Sequence, residues 1–103
     1  MKKNTNKTYF KQYKQLLLEI IQKVIPGCKV YLFGSRARGD HGSGADIDLA
    51  LDVGRPIERK ELFSISDQIE ETTIPLFVDL VDLHCAPEKL KLEIENEGIL
   101  WES

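Results

Sequence analysis

The residues of this chain that could do chemistry are concentrated in one stretch: Gly34-Ser35-Arg36-Ala37-Arg38-Gly39, then Asp46-Ile47-Asp48. Two carboxylates two positions apart on a strand project to the same face, with Cα atoms roughly 6.5–7 Å apart. Side chains of that reach converge on one divalent ion or bridge two ions about 3.5–4 Å apart. The glycine-serine pair offers a contact for phosphate. Glycine has no Cβ to hold a ligand away, and the N–H groups that open a helical turn have no partner inside it. Ser35 either caps that turn or donates its hydroxyl to a phosphate oxygen. Each part alone also fits a plain structural role. Gly-Ser suits any strand-to-helix turn, and Asp52 extends the acidic face, as it would on a solvent-facing strand.

A third carboxylate decides more. Asp79 lies in Leu76-Phe77-Val78-Asp79-Leu80-Val81, a run that otherwise reads as buried. An unpaired buried carboxylate is expensive, so it calls for a charged or metal partner. On a strand beside the one carrying Asp46 and Asp48, Asp79 would reach the same pocket, ligate metal and draw a proton from an attacking hydroxyl. Asp82 competes for this role with the opposite side-chain parity, and Asp79 is preferred; the plain alternative is that Asp79 lies near the strand end and points to solvent.

The elements that must position these groups follow from periodicity. Phe10, Tyr13, Leu17, Ile20, Ile21 and Val24 fall at helical spacing and predict an amphipathic helix from about Thr8 to Ile25, stopped by Pro26-Gly27. Lys29 to Phe33 reads as a short strand, and a helical turn runs from Gly34-Ser35 to Gly39. Residues 40–45, with Gly42 and Gly44, read as a loop. A second strand is expected from about Asp46 to Val53. Ile47, Leu49 and Leu51 would face the helices, and Asp46, Asp48, Ala50 and Asp52 an open face. A helix from about Ile57 to Thr72 would use Leu62, Ile65 and Ile69, with Phe63 beside them. Phe77 to Leu83 is a third strand and Glu88 to Glu97 a last helix, followed by a tail with Ile99, Leu100 and Trp101. The fold class is α/β (α+β): one domain over residues 1–103, a small mixed sheet backed by helices.

The bulk properties are those of an ordinary globular domain, 42% hydrophobic and 30% charged over 103 residues. No apolar run approaches the roughly 20 residues that span a bilayer, and the basic start has no apolar core or cleavage site of a signal peptide behind it. Cys28 and Cys85 form neither a disulfide framework nor a CxxC pair, which suits a reducing, cytoplasmic setting. A net charge of −3 argues against dedicated nucleic-acid binding. The five lysines and no acid among the first fifteen residues read as a solvated helix face. His41, His84 and Cys85 are too scattered for a zinc site, which takes about four converging ligands.

Together, Gly34-Ser35-Arg36-Ala37-Arg38-Gly39, Asp46-Ile47-Asp48-Leu49 and Val78-Asp79-Leu80 resemble the minimal nucleotidyltransferase family of the DNA polymerase β-like superfamily, from about Leu16 to Leu83. The resemblance implies a polymerase β-like palm fold. It implies that Gly34 and Ser35 hold the triphosphate of ATP and that Asp46 and Asp48 bind Mg2+. Asp79 would complete the triad, and AMP would pass to a hydroxyl with release of pyrophosphate. Arg36 and Arg38 would neutralise phosphate charge or simply sit on the surface of the turn. Ala45 departs from the pattern, in which many relatives place a hydroxyl residue before the first acid.

Such relatives are commonly encoded beside a helical HEPN-domain protein with an Arg-x4–6-His motif. The resemblance therefore implies an antitoxin that transfers AMP to a tyrosine of a HEPN toxin. The alternative is a binding module that neutralises or scaffolds such a partner without catalysis. Transfer to a small molecule such as an aminoglycoside is disfavoured, because the chain offers no cleft wall for one. Ile99, Leu100 and Trp101 would either anchor an interface or pack on the chain's own core.

Overall fold

A computed structural model describes the backbone of residues 2–102 and the side chains of residues 9–101. The elements follow in the order α1 (Lys2–Val24), β1 (Lys29–Phe33), α2 (Ser35–Arg38), β2 (Ile47–Asp52), α3 (Arg59–Glu70), β3 (Val78–Asp82), a 3-10 turn (Leu83–Cys85), α4 (Glu88–Glu97) and β4 (Ile99–Glu102). The strands form one sheet in the order β3-β2-β1-β4. β1 runs antiparallel to both β2 and β4, and β2 runs parallel to β3 across the α3 connection.

The sheet is mixed because its connections differ. A turn and loop fold β1 back onto β2, whereas two parallel strands need a crossover of a dozen or more residues, here containing α3. α1 and α3 cover one face. Leu17, Ile21 and Ile25 of α1 and Ile65 of α3 meet Val30, Leu32, Ile47, Leu49 and Leu51 of the central strands, all buried. Each such side chain contributes about 1.5–3 kcal/mol of hydrophobic stabilisation. This is the helix-facing side expected of Ile47, Leu49 and Leu51.

Three expectations change. First, the acidic face of β2 is not wholly open. α4 lies across its far end, where Ile94 packs on Phe33 and a fully buried Ala50, with Tyr31, Val81, Leu83 and Leu90 around them. Second, Phe63 does not join the apolar face of α3; its side chain is 72% exposed while Ile65 is buried. Third, the tail is a strand. β4 pairs with β1 through Tyr31–Leu100 and Leu32–Ile99, and half-buried Trp101 packs against the main core. Its ring meets Phe10 of α1 edge-on at 6.0 Å between centroids. Three apolar residues after a glycine are too short a run to show a period, so β4 leaves little trace in sequence.

α1 begins at Lys2, earlier than the periodicity suggested. The side chains of Lys2, Lys3 and Lys7, part of the basic start, lie outside the described residues. Among the described residues no helix is long and apolar enough to cross a membrane.

Candidate active site

Gly34 is where the site is tightest. The residue joins β1 to α2 with φ 77° and ψ −157°, a backbone region essentially reserved for glycine. A Cβ there would also run into the carboxylate of Asp48, lying 3.2 Å from its Cγ. The missing Cβ therefore lets the turn close against an acid of the neighbouring strand. Asp48 occupies the side of Gly34 on which a Cβ would stand. Ser35 is the first residue of α2 and Gly34 holds the capping position before it, so Ser35 is not the N-cap.

Asp48 sits on β2, paired with Phe33 of β1 on one side and Asp79 of β3 on the other. Parallel neighbours in a sheet lie about 4.8 Å apart, so the two carboxylates leave adjacent backbone positions on the same face. Asp46 lies just before β2, exposed. Burial raises the pKa of Asp48, and the nearby charges of Asp79, Asp46 and Glu93 raise it further, against a smaller lowering from Arg38. Asp46 and Asp79 thus both act on Asp48 through space.

Asp79 is exposed, on an edge strand. The expectation that it is a costly buried charge is not met; its register, rather than its burial, brings it to Asp48. Asp82, its competitor, is engaged elsewhere. One carboxylate oxygen accepts the Ile57 N–H at 2.9 Å and the other the His84 N–H at 3.1 Å. Asp82 pins the segment before α3 to the end of β3 and caps the 3-10 turn.

The two arginines of the turn are also engaged. Arg38 forms ion pairs with Asp40 at 3.2 Å, Glu97 at 3.6 Å and Glu93 at 3.7 Å, tying α2 to α4. Arg36 donates to two loop carbonyls, Ala45 at 3.0 Å and Ser43 at 3.2 Å. Neither role was visible in the sequence, where both arginines read as phosphate partners or surface residues. Glu93, also missed, belongs to the acidic surroundings of Asp48 and gave no signal on a solvated helix.

The donor set suits a hard divalent cation. Carboxylate oxygens are what magnesium prefers, and a cation would relieve the repulsion that raises Asp48. Among the described residues no three His, Cys, Asp or Glu side chains already stand as a gathered ligand cluster. Burial pushes the Cys28 thiol up to about 11, which makes it an inert core residue.

Comparison with known proteins agrees with this architecture. A family model described as polymerase beta, nucleotidyltransferase, matches residues 7–101. The chain is 32% identical over 63 residues to a Haemophilus influenzae protein named "Probable protein adenylyltransferase MntA", covering 61% of this chain and 55% of that one. It is also 32% identical over 91 residues to a speckle-targeted poly(A) polymerase of Xenopus tropicalis, covering 81% of this chain and 11% of that one. It thus spans about half of the first relative and a small part of the second. A toxin–antitoxin structure with AMP-PNP superposes with a TM-score of 0.73 at 24% identity, over 85% of this chain and 71% of that one. The complex of a tri-AMPylated Shewanella oneidensis HEPN toxin with its MNT antitoxin gives 0.69 at 22%, over 88% and 70%. At these identities the superpositions establish the fold. The matched model spans most of the chain and the fold agrees with it: the chain belongs to the polymerase β nucleotidyltransferase family.

Proposed function

We propose that this protein is a magnesium-dependent adenylyltransferase that moves AMP from ATP to a tyrosine hydroxyl of a HEPN-domain partner, and so acts as an antitoxin. The observation that carries the reading is the pairing of Asp48 with Asp79 beside the Gly34 turn. It brings two acids to one face of the sheet beside that turn. The relatives add the chemistry, since one is named a protein adenylyltransferase and another stands beside an AMPylated HEPN toxin.

In this mechanism Gly34 and Ser35 receive the triphosphate at the mouth of α2, where backbone N–H groups favour an anion. Asp46, Asp48 and Asp79 would hold magnesium, which supplies charge neutralisation at the phosphates and an acidified acceptor hydroxyl. Asp79 is exposed on the edge strand, which leaves it open to a macromolecular acceptor. It accepts the hydroxyl proton as the acceptor oxygen bonds to the α-phosphorus. The bond from that phosphorus to the bridging oxygen breaks, and pyrophosphate leaves with the electron pair.

The test is the intact mass of a co-encoded HEPN protein after incubation with this chain, ATP and Mg2+. The reading expects the added mass of one or more AMP groups, lost with Asp46→Asn/Asp48→Asn. An unmodified partner, silenced equally by wild type and double variant, would assign the protein to neutralisation by binding alone.

A further inference from the structure

Asp46 presents a problem of positioning. It is exposed and lies outside β2, at the end of a loop carrying Gly42 and Gly44. A ligand on such a segment must be held by something if it is to meet Asp48 at a fixed separation.

The peptide units on either side of Asp46 are both anchored. After it, the Ile47 N–H donates to the Phe77 carbonyl at 2.9 Å, which ties the Asp46–Ile47 unit to the segment entering β3. Before it, the Ala45 carbonyl accepts from Arg36 Nε at 3.0 Å, and Ser43 accepts from Arg36 Nη2 at 3.2 Å. A peptide unit is planar, so holding the Ala45 oxygen also fixes the nitrogen of Asp46. The guanidinium is itself immobilised, its Cζ 5.0 Å from the centre of the Phe10 ring. Phe10 is backed by Trp101, whose ring also carries Lys14 at 5.5 Å. A stack of four side chains from α1, α2 and β4 thus ends on the carbonyl preceding the first acid.

We propose that Arg36 is a positioning residue for metal binding. It clamps the 43–45 loop through a planar fork and so sets Asp46 against Asp48, leaving the triphosphate to Gly34 and Ser35. The clamp also accounts for the tolerance of Ala45, whose place is held through its carbonyl rather than a side-chain hydroxyl. A lysine would keep the charge but not the paired, coplanar donors, so charge and geometry separate experimentally. The inference rests on the nucleotidyltransferase reading, because it presumes that Asp46 is a ligand.

The experiment measures Mn2+ affinity by its EPR signal at saturating α,β-methylene ATP, which cannot release pyrophosphate, in wild type, Arg36→Ala, Arg36→Lys and Asp46→Asn. Nucleotide affinity is measured separately in EDTA. Loss of an outer-shell support costs about 10–100-fold in metal affinity. Both Arg36 variants should fall toward Asp46→Asn by about tenfold or more, with metal-free nucleotide affinity unchanged. Amide exchange without metal gives a second readout. In Arg36→Lys, residues 43–46 should exchange faster while the sheet does not, a comparison that stands if Arg36→Ala fails to fold. Wild-type Mn2+ affinity in Arg36→Lys, unchanged exchange at 43–46, or an equal loss of metal-free nucleotide binding would each overturn the clamp. A wild type that binds no Mn2+ beside nucleotide would overturn the nucleotidyltransferase reading itself, and the clamp with it.

Discussion

Asp48 and Asp79 stand directly opposite each other in the parallel pairing of β2 and β3. Three residues on, Asp82 pairs with Leu51 and its carboxylate holds the Ile57 and His84 N–H groups. The two acids of β3 therefore carry different duties, and substitution should separate them. Asp79→Asn is expected to abolish AMP transfer and leave the denaturation midpoint no lower than that of the wild type. Asp82→Ala strands two backbone donors and should cost about 2 kcal/mol, read by urea denaturation, with Mn2+ affinity retained.

Ionised Asp48 is a source of strain in the metal-free fold. Its pKa is raised above the ordinary 3.8, first by burial and then by Asp79 and Asp46, so the native state holds this proton more tightly than the unfolded chain. The corresponding contribution to stability is present at acid pH. It declines as pH rises from the ordinary carboxylate range through the raised value. Asp48→Asn removes the charge and should raise the melting temperature at pH 7, with the gain vanishing as pH falls below the ordinary carboxylate range. Added Mg2+ should stabilise wild type and not the variant. Differential scanning calorimetry across pH, with and without Mg2+, checks both directions.

Gly34→Ala meets two penalties at once, a backbone conformation closed to other residues and a Cβ driven into Asp48. Strain of this kind costs about 1–3 kcal/mol. A shift of Asp48 away from Asp46 should also remove transfer activity. Chemical denaturation and a label-transfer assay on the same preparation would report both. An active, fully stable Gly34→Ala would mean that the turn has room for a Cβ beside Asp48.

Trp101 and Leu100 test whether the C-terminal strand belongs to the fold. Trp101 packs on Phe10 and the core, so Trp101→Ala should destabilise by about 2–3 kcal/mol, somewhat below the cost for a fully buried tryptophan. Leu100 is 49% exposed, and Leu100→Ser should stay within about 1 kcal/mol. Urea titrations of both variants decide this, and equal effects would count against the assignment.

Much of the site was legible because it is local. Gly34, Ser35, Asp46 and Asp48 lie within fifteen positions, and period-two alternation told which face of β2 the acids take. The apolar run around Asp79 is what favours it over Asp82 in sequence; the burial which that run suggests is absent, and it is the register that sets Asp79 opposite Asp48. What stayed hidden depends on contacts between distant segments. α4 covering Ala50, the ion pairs from Arg38 to Glu93 and Glu97, and the Arg36 clamp join residues whose types are ordinary for solvated surfaces. β4 escaped because its hydrogen bonds to β1, not a pattern of its own, define it.

The central claim is that Asp46, Asp48 and Asp79 direct attack at the α-phosphate of ATP. Parallel reactions with α-labelled and γ-labelled ATP, Mg2+ and the proposed HEPN-domain partner test it most directly. The account predicts label on the partner from the α position only, γ-label released as pyrophosphate, and neither event with Asp79→Asn. Label reaching the partner from the γ position, or α-label transferred undiminished by Asp79→Asn, would contradict it.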